Sequence, residues 1–185
     1  MAFNTPLATN STYGVIIPGT NLTTTNGVLD VVPIALLDQA FFYSTVTQTN
    51  PVASAINKVT FNNAAINVGI TLVSSTQITV SKTANYNFQF TAQVNKTDGG
   101  LDQMDFWLMR NNANYPNTNT TLTLNGDNLP LMAGGWNYTL ALTAGDYIEI
   151  AWQSADIGFR LLTNGTQVLP SRPVTTSARC TIIQM

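Results

Sequence analysis

Residues 75–94, STQITVSKTANYNFQFTAQV, decide how the rest of the chain is read. From Tyr86 onward every second position is apolar: Tyr86, Phe88, Phe90, Ala92 and Val94. The positions between them, Asn87, Gln89, Thr91 and Gln93, are polar and uncharged. A period of two places one set on each face of a pleated strand. One face is expected in a core, the other against water or a neighbouring sheet. No segment carries a helix period, so the fold class expected is all-β.

Outward from that stretch, short strand patterns follow one another. Expected strands are Ala40–Gln48, Lys58–Phe61, Ile66–Val73, Gln77–Val80, Tyr86–Val94, Met104–Arg110 and Thr120–Leu124. Trp136–Thr143, Tyr147–Gln153, Phe159–Thr163 and Arg179–Gln184 complete the set. Ser81–Asn85 and Ala144-Gly145-Asp146 read as turns. Strands at this spacing, separated by turn signals, indicate a sandwich or jelly roll. Residues 1–34 differ. They carry Pro6, Pro18 and Pro33 and few large apolar residues. They read as an extended arm, with a hairpin around Asn26-Gly27. The division expected is therefore an arm over 1–34 and a β domain over 35–185.

Asp, Glu, Lys and Arg make up only 9% of the 185 residues, and the formal net charge is −2. Roughly a quarter is usual. Asn, Thr, Ser and Gln fill the polar positions instead. Such a surface suits burial in an oligomer, where an unpaired charge is costly. Seven scattered Lys and Arg give no basic stripe for nucleic acid. No apolar run reaches the roughly 18 residues of a membrane-spanning helix, so no membrane insertion is expected. The first residues carry neither a charged nor an apolar leader region, so no secretory signal is expected. Cys180 stands alone and is expected to be a buried small hydrophobe.

With no histidine in the chain, Ser–His–Asp and Cys–His chemistry is excluded in its usual form. Asp102 with Asp105 and Asp146 with Glu149 are each three residues apart, so in a strand their members face opposite ways. No catalytic residue and no cofactor is expected. Asp98, Asp102 and Asp105 lie in or beside one loop, the kind of oxygen cluster a calcium ion needs, but their spacing fits no defined calcium loop. No metal is expected. Tyr115, Trp136 and Trp152 are the aromatics considered for stacking on a sugar. The loop NNANYPNTNT, residues 111–120, with Asn114, Tyr115 and Pro116, is the expected contact for an outside partner. In Met104–Arg110 both faces are apolar, which asks for a second covering layer. Trp107 and Met109 are accordingly expected to touch a second subunit.

The order KVTFNNAAIN, STQITVSKTANYNFQFTAQV, DFWLMRNN, WNYTLALTAGDYIEIAWQS and SARCTIIQM resembles the jelly roll of complement globular heads and the tumour-necrosis-factor superfamily. There a small-residue–Gly turn precedes an aromatic Tyr-x-Phe strand; Ala84-Asn85 and Tyr86-Asn87-Phe88 hold those places here. FYSTVTQTNP, NKTDGGLDQMDFWL and GGWNYTLALTAGDYIEIAWQSAD are similar to globular modules of tailed-phage virion proteins, cyanophage fibres included. TYGVIIPGTNLTTTNGVLDV resembles segments of phage fibre shafts. The resemblance implies a homotrimer, with Tyr86 and Phe88 joining Trp107 and Met109 at the subunit contact. It implies a virion location, with Tyr13, Val15, Ile17, Leu22, Val28 and Leu29 anchoring the arm to other capsid or tail proteins. The function expected is a virion structural protein, a capsid decoration or short fibre. The alternative is a receptor-binding fibre tip that meets a host glycan or envelope protein.

Overall fold

A computed structural model describes residues 22–25, 28–31, 36–126 and 131–185. In chain order the strands are β1 (Leu22–Thr25), β2 (Val28–Val31), β3 (Gln39–Ser44), β4 (Gln48–Thr49), β5 (Asn57–Lys58) and β6 (Asn63–Val68). β7 (Ile70–Val73), β8 (Gln77–Val80), β9 (Ala84–Lys96), β10 (Leu101–Arg110), β11 (Ala113–Asn114) and β12 (Thr120–Asn125) follow. β13 (Leu131–Leu142), β14 (Tyr147–Ser154), β15 (Phe159–Leu161), β16 (Gln167–Val168), β17 (Ser171–Arg172) and β18 (Ala178–Gln184) complete the order. Two compact units divide at Leu36/Leu37. In the first, β1 and β2 pair antiparallel, Leu22 opposite Val31 and Thr25 opposite Val28. The turn residues Asn26-Gly27 and the anchor residues Tyr13, Val15 and Ile17 lie outside the described residues.

The second unit is a sandwich of two seven-stranded sheets. The first runs β11-β10-β14-β8-β7, with β12 on β10 and β5 on β14. The second runs β4-β15-β9-β18-β3-β6, with β13 on β9. Every pairing in them is antiparallel. Between the layers lie Tyr86, Phe88, Phe90 and Val94 of β9, facing Met104, Phe106 and Leu108 of β10 and Ile148, Ile150 and Trp152 of β14. Phe90, Phe106 and Trp136 form a ring cluster, with centroids 5.8, 5.1 and 4.7 Å apart. Such aromatic pairs add about 0.5–1.5 kcal/mol beyond the area they bury. Cys180 is fully buried in β18.

Local chemistry moves several expected boundaries. The run expected as one strand, Ile66–Val73, breaks at Gly69, where φ is +69°. Asp38 lies beneath it, so that a Cβ there would stand 2.1 Å from the carboxyl group. Only glycine meets both demands. β6 therefore ends in one sheet and β7 begins in the other. Of Lys58–Phe61 only Lys58 is strand, as the end of Asn57–Lys58, although Val59 and Phe61 are core residues. Ala84 and Asn85 are not a turn: they open β9, opposite Leu142 and Ala141. The turn lies just before them, and Asn85 keeps an extended backbone.

Candidate functional site

The outward face of β10 carries Asp105, Trp107 and Met109, with Gln153, Ala151 and Glu149 of β14 opposite them in register. Beyond Arg110 the chain turns through Asn111 and Asn112, at φ +50° and +65°, and returns as β11, with Asn114 opposite Met109. Asparagine tolerates this left-handed backbone better than other non-glycine residues. The loop is pinned from below. The Tyr115 N–H donates to the Leu108 carbonyl at 2.8 Å. The buried Thr118 hydroxyl accepts from the Leu108 N–H at 3.0 Å and donates to the Tyr115 carbonyl at 2.8 Å. The Tyr138 hydroxyl donates to the Thr118 carbonyl at 2.9 Å. Between strand and loop opens a concavity of 580 Å³ lined by Asp105, Trp107, Asn114, Tyr115, Asn117, Asn119 and Gln153.

Its polar groups are fixed in orientation. The Trp107 indole N–H donates to Asn114 Oδ1 at 2.9 Å. Asn114 must therefore present its NH₂ elsewhere. Gln153 Nε2 donates to Asp105 Oδ2 at 2.8 Å, and the Thr121 hydroxyl donates to Asp105 Oδ1. The concavity joins residues that the sequence reading kept apart: Trp107 as a subunit contact, Asn114 and Tyr115 as a partner loop. Pro116 is exposed and lines a neighbouring hollow with Arg110 and Ala113. Asn117 and Asn119 belong to the expected partner loop over 111–120, but Asp105 and Gln153 were not singled out in the sequence for this role. The register of β10 against β14 brings these two together, and a register cannot be read before the strand partners are known.

Other expectations need correction. Tyr86 and Phe88 are 0% and 1% exposed, packed within the sandwich of one chain, and present nothing to another subunit. Met109 is 7% exposed, covered by its own chain, while Trp107 is half-buried. Trp152 is a core residue, and Trp136 stacks on Phe90 and packs at a tilt against Phe106, so neither is placed to stack on a sugar. The remaining anchor residues fall in the first unit, Leu22 in β1 and Val28 and Leu29 in β2.

Of the three acids expected to cluster, Asp98 and Asp102 converge and Asp105 does not. Asp98 and Asp102, joined by the distant Asp156, surround the buried ammonium of Lys96 at 3.1, 2.7 and 3.0 Å. The carbonyls of Asp98, Gly99 and Gly100 also accept from it. A protein cation occupies the oxygen cage, and Asp105 stands apart on the outer face. Burial opposes the Lys96 charge, but hydrogen bonds to Asp102, Asp156 and Asp98 outweigh it and hold the group above the ordinary lysine range. Burial also opposes the Asp156 charge, yet the Gly158 N–H and Lys96 pull its carboxyl below the usual range. Gly126 is needed beside the cage, since a Cβ there would stand 1.7 Å from the Asp98 carbonyl oxygen.

Asp146 and Glu149 separate in the same manner. Burial opposes the Asp146 charge, but the Thr143 N–H, the Asn111 amide and the paired Arg110 outweigh it and lower its pKa. Glu149, 1% exposed, takes Lys58 Nζ at 2.6 Å and the Thr76 hydroxyl at 2.9 Å.

The outward face of the second sheet has another character. β9 and β13 present Asn87, Gln89, Thr91, Gln93, Gly135, Asn137, Thr139 and Ala141. The Asn87 and Asn137 amides pair at 2.8 Å. β18 adds Thr181 and Ile183, and β3 adds Phe41 and Tyr43, whose rings stack 5.7 Å apart. Ile66 and Val68 of β6 stand exposed beside them. Among the described residues of these five strands, Arg179 is the single charge on that face.

The sequence matches no family model and no curated protein. Among solved structures, the globular domain of zebrafish complement 1qA protein superposes with a TM-score of 0.50 at 14% identity, covering 81% of this chain and 98% of that one. At this identity the likeness speaks for the fold alone. That fold is the expected one, an all-β jelly roll of the complement-head and tumour-necrosis-factor type.

Proposed function

We propose that this protein is a virion structural component: a homotrimeric jelly roll that decorates a capsid or forms a short fibre, held by an N-terminal arm over residues 1–34. The observation that carries self-assembly is the nearly charge-free outer face of β9, β13, β18, β3 and β6. Its amides, hydroxyls and exposed Ile66, Val68 and Ile183 can be buried without stripping water from an ion, apart from Arg179. Trimeric closure is what the resemblance to complement heads implies. Attachment to other capsid or tail proteins rests on the resemblance of TYGVIIPGTNLTTTNGVLDV to fibre segments, and repeated copies would strengthen weak individual contacts. Light scattering on the full chain should give three chain masses at micromolar concentration; one chain mass contradicts the reading. Immunogold microscopy should place the protein on purified particles, and unlabelled particles contradict the virion assignment. A second reading, recognition of a host surface by the same module, is favoured by the Trp107–Tyr115 concavity on the opposite sheet.

A further inference from the structure

We propose that the concavity between Trp107 and Tyr115 is a binding site for a neutral pyranose sugar. This rests on the host-recognition reading and gives it a ligand class.

Sugar rings present two kinds of surface, patches of axial C–H that pack on aromatic faces and vicinal hydroxyls that donate and accept at once. The concavity offers a partner for each. Trp107 and Tyr115 supply aromatic surface from a strand and from the returning loop. The indole N–H is tied to Asn114, so the ring is held at one edge. Asn114, with its oxygen committed to Trp107, offers its NH₂ as donor. Gln153, with its NH₂ committed to Asp105, offers its oxygen as acceptor. The Asp105 carboxylate takes one protein donor on each oxygen and keeps further acceptor capacity.

The same residues set the selectivity. Among the described residues no Lys or Arg lines the concavity. Among the described lining residues the one acidic side chain is Asp105, which repels carboxylated, sulfated and phosphorylated sugars. At 580 Å³ the volume lies within the range of about 300–1,000 Å³ typical of ligand pockets. The loop needs little reorganisation, because Leu108, Thr118 and Tyr138 already hold it. A site with one wall open to solvent binds weakly, and repeated copies on an oligomer convert weak binding into firm attachment.

The test is saturation-transfer NMR on the full chain with glucose, galactose, mannose and N-acetylglucosamine as separate probes. A glycan array of neutral and anionic chains runs beside it. At least one neutral sugar should bind in the millimolar range. Trp107→Ala should weaken it by about tenfold or more, the size expected when a stacking partner worth about 1.4 kcal/mol is removed. Should Trp107→Ala unfold, Asn114→Leu in the exposed loop serves instead, with an unchanged melting temperature and the same loss of binding. Unchanged affinity in a folded variant overturns the proposal. Binding of an anionic glycan and of no neutral one overturns the ligand class and leaves host recognition standing. Binding of no glycan of either kind overturns the proposal and leaves envelope proteins as the object of recognition.

Discussion

The two outer faces of the sandwich are made of the same kind of strand and treat charge in opposite ways. On the β10–β14 sheet, Lys58, Glu149 and Asp105 face outward, each with a partner: Lys58 with Glu149, Asp105 with Thr121 and Gln153. Across β9, β13, β18, β3 and β6 the outward positions are amides, hydroxyls, aliphatics and aromatics, with Arg179 alone charged among those described. The first face gives its ions partners; the second, over these five strands, carries Arg179 as its one ion among the described residues. Pairing makes an ion tolerable even where it is covered, as Glu149 is, with Lys58 and Thr76 as its partners. Omission suits a surface that loses its water, where an unpaired ion costs several kcal/mol. Over these five strands the outer face is thus nearly free of charge, and the polar groups of the Trp107–Tyr115 concavity lie on the other sheet.

That contrast breaks if charge can be added to the neutral face without consequence. Gln89 is exposed at the middle of β9, between Thr181 and Asn137 in register. Gln89→Glu preserves the shape and adds one anion per copy. If copies meet through this face, the change costs about 3 kcal/mol per subunit, roughly a hundredfold in the dissociation constant. Thr123→Lys, on an exposed outward position of β12, should leave the assembly within about 0.5 kcal/mol of wild type. Sedimentation of the two variants side by side decides it, and equal behaviour removes the distinction between the faces.

The next largest effect concerns a charge that belongs to neither face. Lys96→Met removes the cation from among Asp98, Asp102 and Asp156 and leaves their mutual repulsion. A loss of about 3 kcal/mol is expected, the lower end of what breaking a buried ion cluster costs. Thermal unfolding of wild type and variant measures it. A shift too small to detect shows that the partly exposed Asp98 and Asp102 simply turn outward into water.

The uncharged polar set of β9 was legible in the sequence, and the site was not. The alternation from Tyr86 to Val94 fixes two faces of one strand without any knowledge of its neighbours, and its uncharged polar set already announced the neutral surface. The concavity depends on register. Gln153 meets Asp105 because β14 pairs with β10 at that offset, 48 residues away, and no local pattern encodes the offset. The Lys96 cage shows the same limit. The short spacing of Asp98 and Asp102 was visible as a cluster of oxygens, but Asp156 arrives from beyond β14, and Lys96, one Lys beside a polar loop, carried no mark of burial. Tyr86 and Phe88 were misplaced for a different reason. Alternation tells which residues share a face, and here the aromatic set faces the partner sheet of the same chain.

A smaller effect follows from titration. Asp146 and Asp156 have carboxyl groups held below the usual range when folded. Their contribution is complete above the unfolded value of about 3.9 and is lost as pH falls below it toward the folded values. Lys96 is raised when folded, so its contribution is complete below the unfolded value of about 10.4 and is lost only as pH climbs past it through the folded value. With no histidine in the chain, the melting temperature should be level between about pH 5 and 8, fall below about pH 4, and begin to fall above about pH 8.5, where the buried Cys180 thiol stays protonated when folded but ionises when unfolded. Calorimetry across that range checks it. A step between about pH 6 and 8 would show a titrating group outside these clusters.

The smallest effect comes from the mirror of the first substitution. Asp105→Asn removes an anion from the charged face where Gln89→Glu adds one to the neutral face. Thr121 can still donate to the remaining oxygen. Gln153 can turn its amide over and accept from the new NH₂, so both hydrogen bonds survive. The melting temperature should then shift by no more than about 0.5 kcal/mol allows, as for other surface positions. Sugar binding behaves differently. The turned Gln153 spends its oxygen on the substituted side chain instead of on a ligand, and the carboxylate is gone, so the site loses both acceptors in one step. A variant as stable as wild type that no longer binds the neutral sugar separates the role of Asp105 in recognition from any role in holding the sheet. A variant that loses stability and binding together would make Asp105 a structural residue of the charged face.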